Sequence, residues 1–255
     1  MVAQELKSAG FKVYAAARRV DRMADLEKDG ITPVALDLTR AGSIAACVNT
    51  ILSKEKSIDV LVNNAGYGSY GAIEDVPLEE GRRQFEVNLF GMARLIRLVT
   101  PAMREQHYEK IVNISSMGGK IWTKFGGWYH ATKYAVEGLS DCLRMELQPF
   151  GIDVVVVEPG GIKTDWGLIA AENLKKTSTN GAYAEMANKA ADGMIKNYSG
   201  DLLSKPALIA KTVRKAVTKR RPRTRYLVGF GAKPMVWTHW LFGDRVFGWV
   251  LRTFS

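Results

Sequence analysis

The segment DVVVVEPG, residues 153–160, holds four consecutive valines and ends in a proline and a glycine. An unbroken apolar run of this kind is typical of a strand that is buried on both faces. Such a strand belongs to a parallel sheet that helices cover on both sides. The segment therefore predicts an α/β fold, and the small residues at its end predict a ligand crevice beyond the carboxyl end of the strand.

Similar apolar runs alternate with helix-like segments along the first two thirds of the chain. Strands are expected at 11–16, 31–38, 58–66, 111–116 and 153–160. Helices are expected near 20–28, 41–56, 78–106 and 128–147. The alternation predicts a Rossmann-like, doubly wound parallel sheet in a single domain over residues 1–255.

The pattern changes after residue 164. Residues 165–205 are polar and weakly periodic, and one helix is expected there at 182–197. A further helix is expected at 205–219 and a short last strand at 225–229. No repeat or linker divides the chain, so this part is expected to belong to the same domain.

The composition excludes several classes of protein. With 47% hydrophobic residues and 24 glycines, the 255-residue chain is neither disordered nor fibrous. Cys47 and Cys142 match no metal-ligand spacing and are expected to be reduced, buried thiols, so no metal site is predicted. The sequence shows no charged-then-apolar leader and no run of about 18 apolar residues, which predicts a soluble, cytoplasmic protein.

The net charge of +10 is concentrated near the C-terminus. The segment KTVRKAVTKRRPRTR, residues 211–225, contains eight basic residues and no acid. A solvated basic surface is the first interpretation, and contact with anionic lipid or an acidic partner is the alternative. No nucleic acid is expected, because aromatic residues are not interleaved there. The aromatic tail that follows is VWTHWLFGDRVFGWVLRTFS, residues 236–255. We favour packing of this tail over the substrate mouth. The alternatives are a subunit contact and a peripheral position in a membrane interface.

The chemistry is concentrated in WYHATKYAVEGL, residues 128–139. Tyr129 and Lys133 are four residues apart on a predicted helix, so they share one face. An ammonium one turn away is expected to lower the pKa of the phenol towards neutrality. Ser116 ends the predicted strand 111–116 and could hydrogen-bond a substrate carbonyl oxygen. The alternative for Ser115 and Ser116 is a capping or turn role.

Five motifs together resemble the short-chain dehydrogenase/reductase family. They are NNAG at 63–66, Asn88 in FEVNLFG, ISS at 114–116, YHATK at 129–133 and EPGGIKT at 158–164. The resemblance implies catalytic roles for four residues. Tyr129 is the general acid or base, Lys133 lowers its pKa and binds the nicotinamide ribose, Ser116 polarises the substrate carbonyl, and Asn88 holds a water in a proton relay.

The resemblance also implies a nicotinamide cofactor and the residues that hold it. Those on the adenosine side are Asp37, Asn64, Ala65 and Gly66, and those at the nicotinamide are Pro159, Gly160, Ile162 and Thr164. It further implies that residues 1–164 form the cofactor-binding and catalytic core. Residues 165–255 then supply the substrate lid, the last strand and the basic, aromatic C-terminal region.

The end of the strand at 11–16 indicates which cofactor is bound. An acid at this position would bind the ribose hydroxyls of NAD, but the chain has Arg18 and Arg19. Guanidinium groups suit a 2′-phosphate, so NADP(H) is favoured. The alternative is that one of these arginines merely begins the next helix, and Arg18 is the stronger candidate.

The opening MVAQELKSAGFKVYAAARR departs from the family pattern. The first strand of the family and its TGxxxGxG phosphate loop are absent, which leaves an internal slot between the strands at 11–16 and 58–62. Two explanations stay open. The sequence starts inside a longer protein, which we favour, or the shorter polypeptide is a poor cofactor binder.

The substrate is expected to be a lipophilic carbonyl or alcohol. Residues expected at the substrate are Met117, Ile121, Trp122, Phe125 and Trp166, with core packing as the alternative. The segment RPRTRYLVGFGAK, residues 221–233, and the aromatic tail resemble the branch with 17β-hydroxysteroid dehydrogenases, retinol dehydrogenases and acyl-dihydroxyacetone-phosphate reductases. We therefore expect an NADP(H)-dependent oxidoreductase, and we expect a homo-oligomer because homodimers and tetramers are common in the family. The alternative is a non-catalytic scaffold or binding protein.

Overall fold

The structure, a computed structural model, describes residues 1–106 and 109–253. Six parallel strands form its centre, as the apolar runs predict. Their bounds are β1 Tyr14–Ala17, β2 Thr32–Ala35, β3 Val60–Asn63, β4 Lys110–Ile114, β5 Asp153–Pro159 and β6 Arg225–Val228.

The strands form two sheets, with β1 paired to β2 and the order β3-β4-β5-β6 in the larger one. No strand within the described ranges pairs with β1 on one side and β3 on the other. This division falls where the missing strand of the family pattern is expected. Side-chain packing holds the two sheets together, since Val13 and Ile31 share one core with Val112 and Val155 of the larger sheet.

Ten helices in the described part of the chain surround the sheets. Their bounds are α1 Val2–Ser8, α2 Ala24–Lys28, α3 Ala41–Glu55, α4 Leu78–Phe85, α5 Gly91–Arg104, α6 Gly127–Leu147, α7 Trp166–Ser178, α8 Ala184–Ser199, α9 Ala207–Thr218 and α10 Ala232–Thr253. Helices α3, α5 and α6 pack through Ile44, Val99 and Val136 on one face of the larger sheet. Helices α1 and α9 pack through Leu6 and Val213 on the other face. The chain is therefore a single α/β domain with a Rossmann-like, doubly wound arrangement.

The helix expected over 78–106 is interrupted between α4 and α5. Residues Glu86–Phe90 form one wide turn with π-helical hydrogen bonding, and Asn88 is buried within it. Such turns insert an extra residue and are frequent at functional sites. The wide turn directs Asn88 towards α6.

The segment 165–205 contains two helices, although the periodicity of the sequence predicts only one. Besides α8, which matches the expected helix at 182–197, α7 spans Trp166–Ser178. Its buried residues Ala171 and Leu174 share a core with Ala187 and Ala191 of α8. Apart from Leu174, the buried residues of α7 are small, so its hydrophobic periodicity is weak in the sequence.

The C-terminal helix α10 is broken at Gly243, whose φ of 72° lies in the left-handed region. One side of α10 is anchored, because Phe247 is fully buried and the Nδ1 atom of His239 lies 2.9 Å from the main-chain oxygen of Lys120. None of the described helices combines the length and apolar character needed to cross a bilayer.

Candidate active site

A cavity of about 760 Å³ opens beyond the carboxyl ends of β3, β4 and β5. The loops after these strands, the first turns of α6, and helices α7 and α8 line it. This is the edge at which parallel sheets bind ligands. Among its lining residues the charged ones are Lys124, Lys133 and Lys189, without an aspartate or glutamate.

Helix α6 presents Tyr129 and Lys133 to this cavity, one turn apart. Both side chains are buried. The Nζ atom of Lys133 donates a hydrogen bond to the main-chain oxygen of Ile114 at 2.9 Å, and it lies 5.9 Å from the centre of the Tyr129 ring. The end of β4 thereby fixes the position of the lysine relative to the phenol.

The electrostatics of this pair differ from the prediction. Burial raises the pKa of Tyr129 above its usual range, and a hydrogen bond with Ser116 partly opposes this rise. Lys133 is not among the groups that lower the pKa of the phenol. Burial lowers the pKa of Lys133 itself to about 8, with Glu137 acting in the opposite direction. Desolvation therefore outweighs the predicted effect of the ammonium.

Ser116 combines the two roles that the sequence leaves open. Its Oγ atom accepts a hydrogen bond from the amide of Gly118 at 3.0 Å and so caps the short turn Met117–Gly119. The same hydroxyl interacts with the phenol of Tyr129. Neighbouring Ser115 also lines the cavity, and its Oγ atom is buried without a hydrogen-bond partner among the described residues.

His130 holds the loop that carries Ser116 in place, and the sequence motifs do not predict this role. Its Nε2 atom accepts a hydrogen bond from the amide of Thr123 at 3.0 Å. The Nδ1 atom therefore carries the proton and donates it to the main-chain oxygen of Gly118 at 2.9 Å. Its position beside Tyr129 in the motif is the sequence signal for this role.

Asn88 holds the loop after β3 against α6. Its Oδ1 atom accepts a hydrogen bond from the amide of Tyr67 at 3.0 Å. Its Nδ2 atom donates to the main-chain oxygen of Tyr67 at 2.9 Å and to the Thr132 hydroxyl at 3.1 Å. The side chain is thus committed to positioning, and its part in a proton relay stays a prediction.

The predicted cofactor residues divide into two groups. Asn64, Gly66, Lys133, Tyr129, Pro159, Gly160, Ile162 and Thr164 line the cavity. A Cβ atom added at Gly66 would lie 3.2 Å from the Oδ1 atom of Asn88 and 3.6 Å from the Nζ atom of Lys133. The absence of a side chain at Gly66 therefore lets this loop pack closely against Asn88 and Lys133.

The second group, Arg18, Arg19, Asp37 and Ala65, does not line the cavity. The two arginines are exposed, and Arg18 is close enough to Asp37 to help lower the pKa of its carboxyl. The main cause of that lowering is Thr39, whose hydroxyl and amide donate to the Asp37 Oδ1 atom at 2.7 and 2.9 Å. Arg18 and Arg19 lie past the end of β1, Asp37 past the end of β2 and Ala65 past the end of β3.

The predicted substrate residues also divide. Met117, Ile121 and Trp166 line the cavity, and the Trp166 ring lies 4.9 Å from that of Tyr129. Trp122 does not line the cavity, because its ring packs against His239 and Phe247 of α10. Phe125 lines a shallower neighbouring pocket instead.

Several lining residues lie outside the sequence motifs. They are Tyr70, Leu174, Met186, Ala190, Met194 and Tyr198. Tyr70 is buried and its ring lies 6.0 Å from that of Tyr129. Apart from Tyr70, they lie on α7 and α8 and share only helical spacing, which does not distinguish a cavity wall from an ordinary core.

A buried charge cluster lies behind the cavity. The Oε2 atom of Glu137, on α6, is 3.1 Å from both Lys120 Nζ and Arg225 Nε. The Oε1 atom of Glu158, on β5, is 3.4 Å from Arg225 Nε. Burial and the neighbouring Glu137 raise the pKa of Glu158 to about 7. Asp141 completes the cluster with an ion pair to Arg225 at 2.6 Å.

The metal and cysteine predictions can be compared with the described ranges. No group of three or more histidine, cysteine, aspartate or glutamate residues there has a metal-binding arrangement. Cys47 is free and buried, as expected. The prediction that Cys142 is buried is wrong, since this free thiol on α6 is exposed.

Comparison with known proteins identifies the class to which this fold and site belong. The family model described as short chain dehydrogenase matches residues 1–174. A probable short-chain type dehydrogenase/reductase, VdlC from Helicobacter pylori, is 36% identical over 228 residues, which cover 88% of this chain and 81% of VdlC.

Solved structures agree. A short-chain dehydrogenase from Streptomyces avermitilis superimposes with a TM-score of 0.81 at 33% identity, covering 94% of this chain and 88% of the other. A metagenomic short-chain oxidoreductase in complex with NADP has a TM-score of 0.66 at 26% identity, covering 89% of each chain. The chain belongs to the short-chain dehydrogenase/reductase family, a family of oxidoreductases that use a nicotinamide cofactor.

Proposed function

We propose that the protein is an NADP(H)-dependent oxidoreductase that interconverts a carbonyl group and an alcohol on a lipophilic small molecule. The observation that carries the proposal is the meeting of Ser116, Tyr129 and Lys133 at one cavity wall. Ser116 interacts with the Tyr129 phenol, and Lys133 lies one helical turn away. Proton transfer to or from a substrate oxygen needs a positioned acid or base, and the Tyr129 phenol at the cavity wall can supply one.

The site residues fit a nicotinamide nucleotide. A lining whose charged groups are all lysines suits an anionic cofactor, and the loop at Gly66 lies beside Lys133 in this lining. Lys133, Pro159, Gly160, Ile162 and Thr164 would hold its nicotinamide half. The exposed Arg18 and Arg19 would contact the 2′-phosphate of NADP(H), and Asp37, Asn64 and Ala65 the adenosine half. The cofactor of the metagenomic relative supports this choice.

The bound cofactor would supply or accept the hydride. The phenol of Tyr129 donates a proton to the carbonyl oxygen during reduction and removes one from the alcohol during oxidation. The hydroxyl of Ser116 donates a hydrogen bond to the same oxygen as negative charge develops there. Lys133, which the main-chain oxygen of Ile114 holds in position, would hydrogen-bond the nicotinamide ribose.

The apolar wall of the cavity supports a lipophilic substrate. Met117, Ile121, Trp166, Leu174 and Met194 are among its apolar lining residues. Apolar side chains of this kind select by shape and burial of hydrocarbon surface. Residues 165–205, which contain α7 and α8, act as the substrate lid.

Two measurements test the proposal. NADPH should bind with a thermal shift larger than that of NADH, and Arg18→Ala should reduce the preference. Consumption of NADPH with hydrophobic ketones should then fall by about 100-fold or more in Tyr129→Phe. Tyr134→Phe, on an exposed residue of the same helix, is the matched control and should keep full activity.

The outcomes separate two functions. Binding with turnover that is lost in Tyr129→Phe supports the oxidoreductase. Failure of the protein to bind either nucleotide would favour the alternative of a non-catalytic scaffold or binding protein. Turnover that survives in Tyr129→Phe would contradict the proposed roles at the site.

A further inference from the structure

The positive charge of the chain lies in its last fifth. Residues 202–255 contain twelve lysines and arginines and a single acid, Asp244. Their net charge exceeds the +10 of the whole chain, so residues 1–201 are close to neutral. Charge asymmetry of this kind indicates an anionic partner for one part of the molecule.

The same part carries a concentrated set of exposed apolar side chains on α10, four of them aromatic and one a leucine. We call the set the aromatic face, and its members are Trp237, Trp240, Leu241, Phe242 and Trp249. The exposed fraction is 78% for Trp240 and at least 55% for each of the others. Isolated exposed apolar residues are ordinary, but a group of this size indicates an interaction surface, with Trp237 and Trp240 before the break at Gly243 and Trp249 after it.

The aromatic face is held in a fixed position. The opposite side of α10 packs through His239 and Phe247 on Trp122, whose ring centre lies 4.7 and 5.3 Å from theirs. The buried Phe247 and the contact of His239 with the Lys120 main-chain oxygen attach the helix to the domain. The exposed rings therefore do not result from a detached tail.

We propose that the aromatic face of α10 docks onto an anionic lipid bilayer, with the helix lying in the interface. Tryptophan, phenylalanine and leucine on one side of a helix, with lysine and arginine nearby, are the residues of interfacial helices. Lys233, Arg245 and Arg252 supply basic groups on α10 itself. Anionic headgroups attract such groups, and the rings enter the boundary between headgroups and acyl chains.

Charge favours a bilayer over a second copy of this chain. Pairing two aromatic faces would bring Lys233, Arg245 and Arg252 on α10 of one copy close to the same residues of the other, and their repulsion opposes this contact. An anionic membrane neutralises the charge while it covers the rings. The bilayer is therefore the occupant that satisfies both properties of the surface.

Docking would place the cavity near the lipid. Trp122, which supports α10, lies between Ile121 and Thr123, and both of these residues line the cavity. A lipophilic substrate could then enter from the bilayer without crossing water. This consequence rests on the proposed function, but the docking itself does not.

Cosedimentation with vesicles tests the docking independently of any turnover. The protein should sediment with vesicles of phosphatidylcholine and phosphatidylglycerol, and much less with phosphatidylcholine alone. Tryptophan fluorescence should shift to shorter wavelength on binding, and high salt should weaken the association. The double variant Trp240→Ser/Phe242→Ser should bind about tenfold or more weakly, and Lys233→Gln/Arg245→Gln should bind more weakly at low salt only.

Met145→Ser is the matched control, because Met145 is 77% exposed on α6 outside the aromatic face. It should bind vesicles as the wild type does, and all variants should keep the wild-type melting temperature. Absence of sedimentation with anionic vesicles, or equal binding by Trp240→Ser/Phe242→Ser, would overturn the proposal. Two further outcomes would overturn it if vesicle binding stays unchanged. In one, Trp240→Ser/Phe242→Ser converts an oligomer to a monomer, and in the other it loses binding to nucleic acid.

Discussion

Arg225, the first residue of β6, makes an ion pair with Glu137 on α6 through Nε and Oε2 atoms 3.1 Å apart. Glu137 is buried and follows Lys133 by one helical turn. The pair therefore connects an edge strand of the larger sheet to the helix that carries Tyr129 and Lys133. Protonation of the carboxyl groups around this ion pair should therefore change the stability of the fold with pH.

The buried Glu158 of this cluster should make the protein less stable as the pH rises. Its pKa is about 7 in the folded state, against 4.5 for an ordinary glutamate. Between these values the folded state keeps a proton that the unfolded state has released, so stability falls from pH 4.5 to 7. In Glu158→Gln this loss disappears, and the melting temperature relative to wild type should increase across that window.

Asp141→Asn provides the control with the opposite sign. Ion pairs with Arg225 and Arg144 hold the pKa of the Asp141 carboxyl below its usual range. Asp141 thus stabilises the fold above the unfolded pKa, and its replacement should lower the melting temperature at pH 7. If both variants respond to pH in the same direction, the assignment of the raised pKa to Glu158 is wrong.

Lys133 should produce a pH effect in the alkaline range. Its pKa is about 8 in the folded state, against 10.5 for an ordinary lysine. Between these values only the unfolded state keeps the proton, so wild-type stability rises with pH. Lys133→Met lacks this group and should not gain stability in this range. The difference in the free energy of unfolding, variant minus wild type, should therefore fall by roughly 3 kcal/mol from pH 8 to 10.5.

Chemical denaturation at several pH values measures this difference. Lys124→Met is the control, because Lys124 is an exposed lysine at the same cavity. Its difference from wild type should stay constant over the range. A constant difference for Lys133→Met as well would show that the buried ammonium keeps its ordinary affinity for the proton.

His130→Phe should release the loop that carries Ser116. It removes two buried hydrogen bonds, to Gly118 and Thr123, which together contribute about 2 kcal/mol to stability. Turnover should fall because Ser116 loses its position, while NADPH affinity is retained. Thr123→Val keeps the bond from the Thr123 amide to His130, so its effect should be much smaller.

His130 also predicts acid sensitivity. Burial lowers its pKa below 6.5, so acid favours the unfolded state, which binds the proton more readily. Melting temperatures at pH 5 and 7 should show a loss in the wild type that is reduced in His130→Phe. An equal loss in both proteins would assign the acid sensitivity to other groups.

Gly66→Ala and Gly138→Ala form a matched pair. The added methyl group at Gly66 would lie 3.2 Å from the Asn88 Oδ1 atom, so this substitution should weaken nucleotide binding and turnover. Gly138 lies on α6 with no atom within 4 Å of an added Cβ. Gly138→Ala should raise stability by about 0.5–1 kcal/mol and leave binding unchanged. Unchanged nucleotide affinity in Gly66→Ala would contradict the close approach.

The order of strands and helices follows from local pattern, and the sequence predicts it well. The valines of β5 and the apolar run of β4 are buried on both faces, and no other regular structure suits such runs in a chain of this length. Helix α7 escapes prediction because Ala170 and Ala171 bury little apolar surface individually. Only their contact with α8 makes that face of α7 a core.

The candidate site is predictable where one helix or one strand end determines it. Tyr129 and Lys133 share a face through helical geometry alone, and Ser116 is placed by the end of β4, two residues before it. The placement of Trp122 depends on α10, more than a hundred residues later, and the raised pKa of Glu158 depends on Glu137. Such contacts are set by tertiary packing, which no local pattern in a single sequence reveals.

The division between β1 and β3 predicts that the pair β1–β2 unfolds locally before the larger sheet does. Side-chain packing joins the pair β1–β2 to the larger sheet without a shared ladder. Its main-chain amides can therefore exchange with solvent deuterium through a local opening that leaves β4 and β5 intact. Hydrogen exchange should show two cooperative units, with Tyr14–Ala17 and Thr32–Ala35 in the unit that exchanges at lower free energy.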